Sequence, residues 1–325
     1  MIPFVTLALL AAATPQGGGF QTDTTVTVSQ GTRLRVDNQG GDIVVRGWDR
    51  NQVRIQANHS RRTRISARLA GAVLSLEASA DRGPANMVDY ELTVPTWMAL
   101  HLSGMYPSVS VEGTRGPIEV ETLDGDITVK GGGESVKLTS IQGRISASGV
   151  RGRLELNSVS EDVEASDIQG DILVEGVSGD IILRRIEAKS VEVETVSGEL
   201  YLDGRLLDGG SYTLLTHSGD ITISVQEGAN ATIATAVGSG DVQASFPLPT
   251  SDRGRRRHSY RLGNGSATVE LETFSGSIHL LRPAEMATQL DRLMRRRQEQ
   301  EDAQSRAKQL KRPPRPDHDF PGEVP

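Results

Sequence analysis

Between Gly116 and Leu183 the chain alternates apolar and polar residues in a nine-residue unit that repeats without a slip. The first residue of each Gly-x-apolar step falls at Gly116, Gly125, Glu134, Gly143, Gly152, Glu161, Gly170 and Gly179. Two residues after this marker stand Ile118, Ile127, Val136, Ile145, Leu154, Val163, Ile172 and Ile181. Four after it stand Val129, Leu138, Ala147, Leu156, Ala165, Val174 and Leu183. Separated by one polar residue, these positions have the period of a strand that buries one face. A third apolar set lies two residues before the marker, at Leu123, Ile141, Val150, Val159, Ile168 and Val177, and is also read as inward. Glycine at the marker frees the backbone for a corner, and Asp, Ser or Asn beside it forms turns. Each nonad is therefore one turn and one short strand. Such a strand has no partner within its unit and is stable only when the next copy stacks on it.

Markers 125, 143, 161 and 179 resemble one another more than their neighbours, so two nonads make one coil. Gly198, Gly219 and Gly240 continue the series as the coils lengthen, and Gly276 follows an insertion. The pattern predicts an all-β chain, a parallel β-solenoid with about 18–21 residues per coil and strands ~4.8 Å apart. A β-sandwich of hairpins is the alternative with similar strand spacing.

The flanks are read against this repeat. Residues 1–13 form an apolar run ending in Ala11-Ala12-Ala13, which reads as a signal peptide, although no Lys or Arg precedes it. Residues 14–23 make a linker, and from Thr24 to Leu102 a less regular alternation continues the solenoid and closes its first coil. The solenoid domain is expected over 24–282. From Pro283, Met286, Leu290, Leu293 and Met294 share a helical face, so 283–312 is expected as a short charged α-helix capping the last coil. The proline-rich tail 313–325 is expected to be disordered.

Several segments carry a specific resemblance. Gly41-Asp42-Ile43-Val44-Val45-Arg46-Gly47-Trp48, the step Leu92-Thr93-Val94-Pro95 and the serial Ser-Gly-Asp-Ile units resemble the bacterial putative-adhesin family of β-strand repeat domains. The resemblance covers roughly residues 24–282. It implies a right-handed β-solenoid behind a signal peptide or membrane anchor, with an undefined biochemical role and no catalytic motif to carry over. Met105-Tyr106-Pro107 departs from it where Asp would follow Gly104.

Composition narrows the function. The formal charge of −7 argues against nucleic-acid binding, which needs a net basic face. The absence of cysteine excludes disulfides, thiolate metal sites and a lipidated N-terminal cysteine. Asp126, Arg144, Asp162, Asp180, Glu199, Asp220 and Asp241 follow the markers and are expected to stack coil upon coil. Like charges so close repel unless turn amides or a cation relieve them. Asp162, Asp180, Asp220 and Asp241 are thus a candidate calcium ladder, with turn capping preferred because the calcium-binding nonad Gly-Gly-x-Gly-x-Asp is absent. Ser160, Ser178, Ser197, Ser218, Ser239 and Ser275 form a hydroxyl column just before the markers. His217 is read as an inward core residue beside Ser218 and Asp220, which cannot converge as a triad from adjacent strand positions.

No catalytic residue, cofactor or firm metal site is assigned. Trp48 and Trp97 are the only tryptophans, too few for the aromatic platforms of a carbohydrate-active enzyme. The insertion containing Arg253, Arg255, Arg256 and Arg257 is the interaction candidate, able to meet an anionic surface or acidic partner. The function expected is a non-enzymatic, exported β-solenoid for adhesion, scaffolding or interaction with a protein or envelope surface, located in the periplasm, on the cell surface or outside. An envelope regulatory or stress-linked binding module is the alternative, and a carbohydrate-active enzyme a distant one.

Overall fold

The computed structural model describes residues 20–80, 87–249, 252–253 and 257–310. The expected signal peptide and tail lie outside them. The chain divides after Arg282 into a β unit and a helical unit. The described strands of the β unit belong to one hydrogen-bonded, mixed sheet that winds back over itself.

In the regular part each strand pairs with the next but one. Ile118–Asp124, Gly133–Gln142, Arg151–Ser158 and Ile172–Gly176 form one parallel face. Ile127–Lys130, Ile145–Ser148, Val163–Gln169 and Ile181–Glu187 form the other. Ile118 stands against Val136, Val136 against Leu154, and Leu154 against Ile172, all buried. Ile127, Ile145, Val163 and Ile181 make the matching stack opposite. Alternate nonads thus supply the two walls, and both positions assigned to the core after the marker are buried in each. Stacking like aliphatics fills a narrow interior without aromatic bulk.

The coils then lengthen, and one tyrosine accounts for where the extra chain goes. Buried Tyr212 accepts a hydrogen bond from Leu207 N at 2.7 Å and reaches Ala188 O at 2.9 Å, pinning the loop before its own strand. Gln226 holds the same loop through both the amide and carbonyl of Leu206.

The ends depart from a purely parallel solenoid in chain order. Ala267–Ser275 lies between Ser211–Ser218 and Ala231–Ser239, so the last coil in sequence is inserted below the previous one. Arg33–Gly40 is likewise flanked by Val73–Ala80 on one side and Ala99–Tyr106 on the other. Antiparallel strands close both ends: Phe20–Thr27 with Gln52–His59, Gln52–His59 with Val88–Pro95, Thr63–Ala70 with Val73–Ala80, and Ala231–Ser239 with Arg257–Leu262. An open parallel edge would present a row of unpaired amides and carbonyls, and an added strand or hairpin covers it. The first strand begins at Phe20, ahead of the alternation that starts at Thr24.

The two tryptophans, 49 residues apart in the chain, meet at the turn over 49–52. Trp48 Nε1 donates to Gln52 O at 2.7 Å and Trp97 Nε1 to Asn51 Oδ1 at 3.1 Å, while the Arg50 guanidinium lies 5.1 Å from the Trp48 ring centre. The helical unit is one helix, Pro283–Leu310, with Met286 and Leu290 buried.

Candidate functional site

The Gly-Asp corner recurs along the coils, with replacements such as Pro107, Arg144 and Glu161, and its geometry follows from how closely the backbones stack. A Cβ placed on Gly143 would lie 2.1 Å from Gly125 O, and one on Gly219 2.1 Å from Gly198 O. Gly219 also has φ +138, whereas Gly143 does not have a positive φ. Close approach of successive corners is therefore the common requirement, and the left-handed backbone an addition to it.

The first corner is shifted from where the sequence places it. Gly104 is not a marker, since it pairs with Thr122 and Asn38. Pro107 holds the marker position, its carbonyl 2.2 Å from a Cβ built on Gly125. The departure at Met105-Tyr106-Pro107 thus leaves the coil register intact and puts a proline where later corners use glycine.

The acidic residue after the marker caps the next corner. Asp126 Oδ1 accepts Arg144 N at 2.9 Å, Asp162 Oδ1 accepts Asp180 N at 2.8 Å, Asp180 Oδ1 accepts Glu199 N at 2.9 Å, and Asp220 Oδ1 accepts Ser277 N at 2.7 Å. Asp89 does the same for Asp42 N at 3.1 Å. Each acid satisfies a turn amide that its neighbour's backbone leaves unpaired, which relieves part of the like-charge cost. The column is not in the expected order: Ser277 separates Asp220 from Asp241, and its hydroxyl accepts Asp241 N at 3.3 Å. Asp220 and Asp241 are therefore not adjacent rungs. The described residues contain no group of three or more His, Asp or Glu side chains arranged to hold a metal ion.

A second set of caps was not singled out in the sequence. Three residues before the marker, Asn38, Thr122, Ser140, Ser158, Thr195, Thr216 and Thr273 are buried and polar. Ser158 Oγ donates to Glu161 O at 2.7 Å, Thr273 Oγ1 to Gly219 O at 3.0 Å, and Asn38 Nδ2 to Val88 O at 2.9 Å. The signal was present as a recurrent Ser or Thr at that step. The serines immediately before the markers, Ser160, Ser178, Ser197, Ser218, Ser239 and Ser275, are exposed.

Because the cap position faces inward, strand alternation turns the next residue outward. This corrects the reading of the residues two before the marker. Val150 and Ile168 are buried, but Leu123, Ile141, Val159 and Val177 are 38–46% exposed. His217 occupies the same outward position and is exposed rather than a core residue. The register carries one column through Met105, Leu123, Ile141, Val159, Val177, Val196, His217 and Phe274. Phe274 is 62% exposed, and its ring stacks on His217 with centroids 5.0 Å apart and planes 4° from parallel. Single apolar side chains are common on a protein surface, whereas seven of the eight residues of this column are apolar, His217 being the exception.

The arginine-rich insertion is only partly in view. Arg253 pairs with His258 across a short antiparallel bridge, and Arg255 and Arg256 lie outside the described residues. Arg257 is exposed and its guanidinium stands 3.4 Å from Glu272, two strands away across Ala236.

Ion pairs elsewhere join neighbouring coils. Lys137 and Glu155 approach to 2.7 Å, and the hydrogen bond from Lys137 holds the Glu155 carboxyl below its ordinary value. Arg185 and Asp167 form a two-point pair with both contacts at 2.6 Å, which lowers the Asp167 carboxyl in the same way. Burial raises the phenols of Tyr90 and Tyr212.

The stacked corners, capped by acids and built over residues 20–281, coincide with a family model, Toastrack DUF4097, that matches residues 16–281. The chain belongs to the Toastrack DUF4097 family. Among curated proteins none matches it. Similar solved structures include a putative adhesin from Bacteroides fragilis NCTC 9343, 14% identical, covering 80% of this chain and 96% of its own, with a TM-score of 0.37. Another is a putative adhesin from Parabacteroides distasonis ATCC 8503, 11% identical over 81% of this chain and 98% of its own, at a TM-score of 0.33. A putative cell adhesion protein from Clostridium sporogenes ATCC 15579 is 11% identical over 81% and 99%, at 0.23. The Toastrack chain described here has no described helix long and apolar enough to cross a membrane.

Proposed function

We propose that this Toastrack protein is an exported, non-enzymatic binding scaffold of the bacterial cell envelope, acting in adhesion or in assembly with a protein partner. The observation that carries the reading is the file of exposed apolar side chains from Met105 to Phe274, held at one position over successive coils. A parallel solenoid fixes such a file rigidly, so binding does not require ordering the scaffold and loses little entropy to it. Adhesion-like names among proteins of similar fold accord with this, as does the apolar N-terminal run as an export signal.

Fractionation of cells carrying an epitope-tagged chain, followed by protease treatment of intact and of permeabilised cells, tests the proposal. Degradation in intact cells supports adhesion at the surface, and degradation only after permeabilisation supports an envelope-internal binding module. Recovery in the cytosol with residues 1–13 still attached overturns it.

A further inference from the structure

The exposed file also specifies what would cover it. Leu123, Ile141, Val159, Val177 and Val196 point outward from five successive coils. The columns beside them are polar with an acidic excess: Glu121, Glu175 and Glu194 alternate with Thr139 and Asn157 on the strand side, and Asp124, Asp126, Asp162, Asp180 and Glu199 stand among polar residues on the corner side. Arg144 is the single cation of those columns between Glu121 and Glu199. An apolar ridge rimmed by carboxylates repels a second copy that brings the same rim, and it repels an anionic lipid surface for the same reason. It attracts a partner with apolar side chains in a line and Lys or Arg on both sides.

Spacing selects the partner's backbone. The ridge repeats every ~4.8 Å, the separation of neighbouring strands. An α-helix lying along it brings an apolar stripe round about every 5.4 Å, so four intervals accumulate an offset of only about 2.4 Å. An extended strand offers same-face residues about every 6.7 Å and is out of step by about 7.6 Å over the same distance. We infer that the ridge is the docking site of a basic, amphipathic α-helix of a partner protein, laid along the stacking direction of the coils. From Met105 to Phe274 the seven intervals span about 34 Å, the length of a helix of about 22 residues, over which the helix drifts by about 4.2 Å and a strand by about 13 Å. His217 and Phe274, stacked on each other, form the aromatic end of the site.

The proposal rests on the reading of the protein as a binding scaffold. Its test is a titration in solution, so its failure leaves the localisation result untouched. The probe is a labelled 22-residue peptide of Leu and Lys with Leu along one helical stripe, added to the full chain and followed by fluorescence anisotropy. A peptide of the same composition with Leu and Lys scrambled is the control for charge. Binding to the natural chain is expected, weakened about tenfold or more by scrambling and by the triple substitution Ile141→Ser, Val159→Ser and Val177→Ser. These three side chains are exposed, and circular dichroism verifies that the variant keeps its fold. Glu121→Lys with Glu194→Lys is expected to weaken binding while leaving the ridge intact. Equal binding of the scrambled peptide, or by the serine variant, overturns the proposal, as does no binding by the natural chain. Self-association, or capture by phosphatidylglycerol vesicles, that the serine variant abolishes would overturn it in favour of a second copy or a membrane.

Discussion

The middle of the solenoid and its two ends use the same kind of strand but find their neighbours differently. In the middle, corners that bond to each other are 18 residues apart, as Asp126 with Arg144 and Asp162 with Asp180. At the C-terminal end Asp220 caps Ser277 across 57 residues, and at the N-terminal end Asp89 caps Asp42 across 47. Entropy of closing a loop rises only logarithmically with length, so the long excursions cost little more than the short ones. What they achieve is an end without a bare parallel edge. The chain leaves a gap for its last coil and then covers the outer edge with antiparallel strands.

Glycine substitutions should separate the two regions most strongly. Gly170→Ala, in the middle, places a Cβ 2.1 Å from the Gly152 carbonyl at φ +136, and a loss of about 3 kcal/mol or more is expected in denaturant unfolding. Gly71→Ala, in the terminal hairpin at φ +59 with nothing within 4 Å of the new Cβ, should cost about 1 kcal/mol. Equal losses would mean that close stacking is not what the corner glycine serves.

Core truncation gives a smaller contrast. Leu154→Ala removes a fully buried side chain between two coils and should cost about 3 kcal/mol, read from the urea midpoint. Ile65→Ala, 6% exposed in the antiparallel hairpin at the end, should lie near the lower limit of about 2 kcal/mol. A larger loss at Ile65 would make the end, rather than the middle, the more tightly packed region.

The acid column should contribute less again. Asp180→Ala removes the acceptor for Glu199 N and is expected to cost about 1 kcal/mol. With one oxygen of each of these carboxylates already accepting a turn amide, thermal unfolding is expected to be the same with a chelator as with added calcium. A calcium-dependent rise in the transition would return Asp162 and Asp180 to the role of cation ligands.

Smallest is the pH effect of the ion pairs that tie middle coils together. Arg185 holds the Asp167 carboxyl below its ordinary value of about 3.9, so the pair stabilises the fold above about pH 4. That contribution is lost as pH falls through the lowered folded-state value, when the carboxylate takes up a proton. Both side chains are half exposed, which keeps the effect small. Melting of Asp167→Asn from pH 7 to pH 3 should therefore show a slightly shallower acid limb, and an unchanged slope would remove the pair from the account.

Much of the corner was legible because each requirement recurs at fixed spacing. Glycine where backbones touch and an acid where a turn amide needs an acceptor were both visible before any geometry. The outward turn of Leu123, Ile141, Val159 and Val177 was not, because Val150 and Ile168 occupy the same step and are buried. The two kinds of corner share a spacing and differ in the preceding residue, which is left-handed at Gly149 (φ +68) and Asp167 (φ +57) and so turns Val150 and Ile168 inward. His217 was misplaced for the same reason. The convergence of Trp48 and Trp97 on the turn over 49–52 also had no local sign, since Trp97 bonds to Asn51 from 46 residues away.

By itself the sequence determined the repeat, the two buried walls and the chemistry of the Gly-Asp corner, because strand alternation and turn geometry are local and are restated in every coil. Only the tertiary structure decided the order of the terminal coils and the continuity of the exposed ridge. Those depend on which distant strand completes an edge, and backbone hydrogen bonds are available to any strand in register. The choice is made by the whole stack, where a covered edge and a filled interior are reached together.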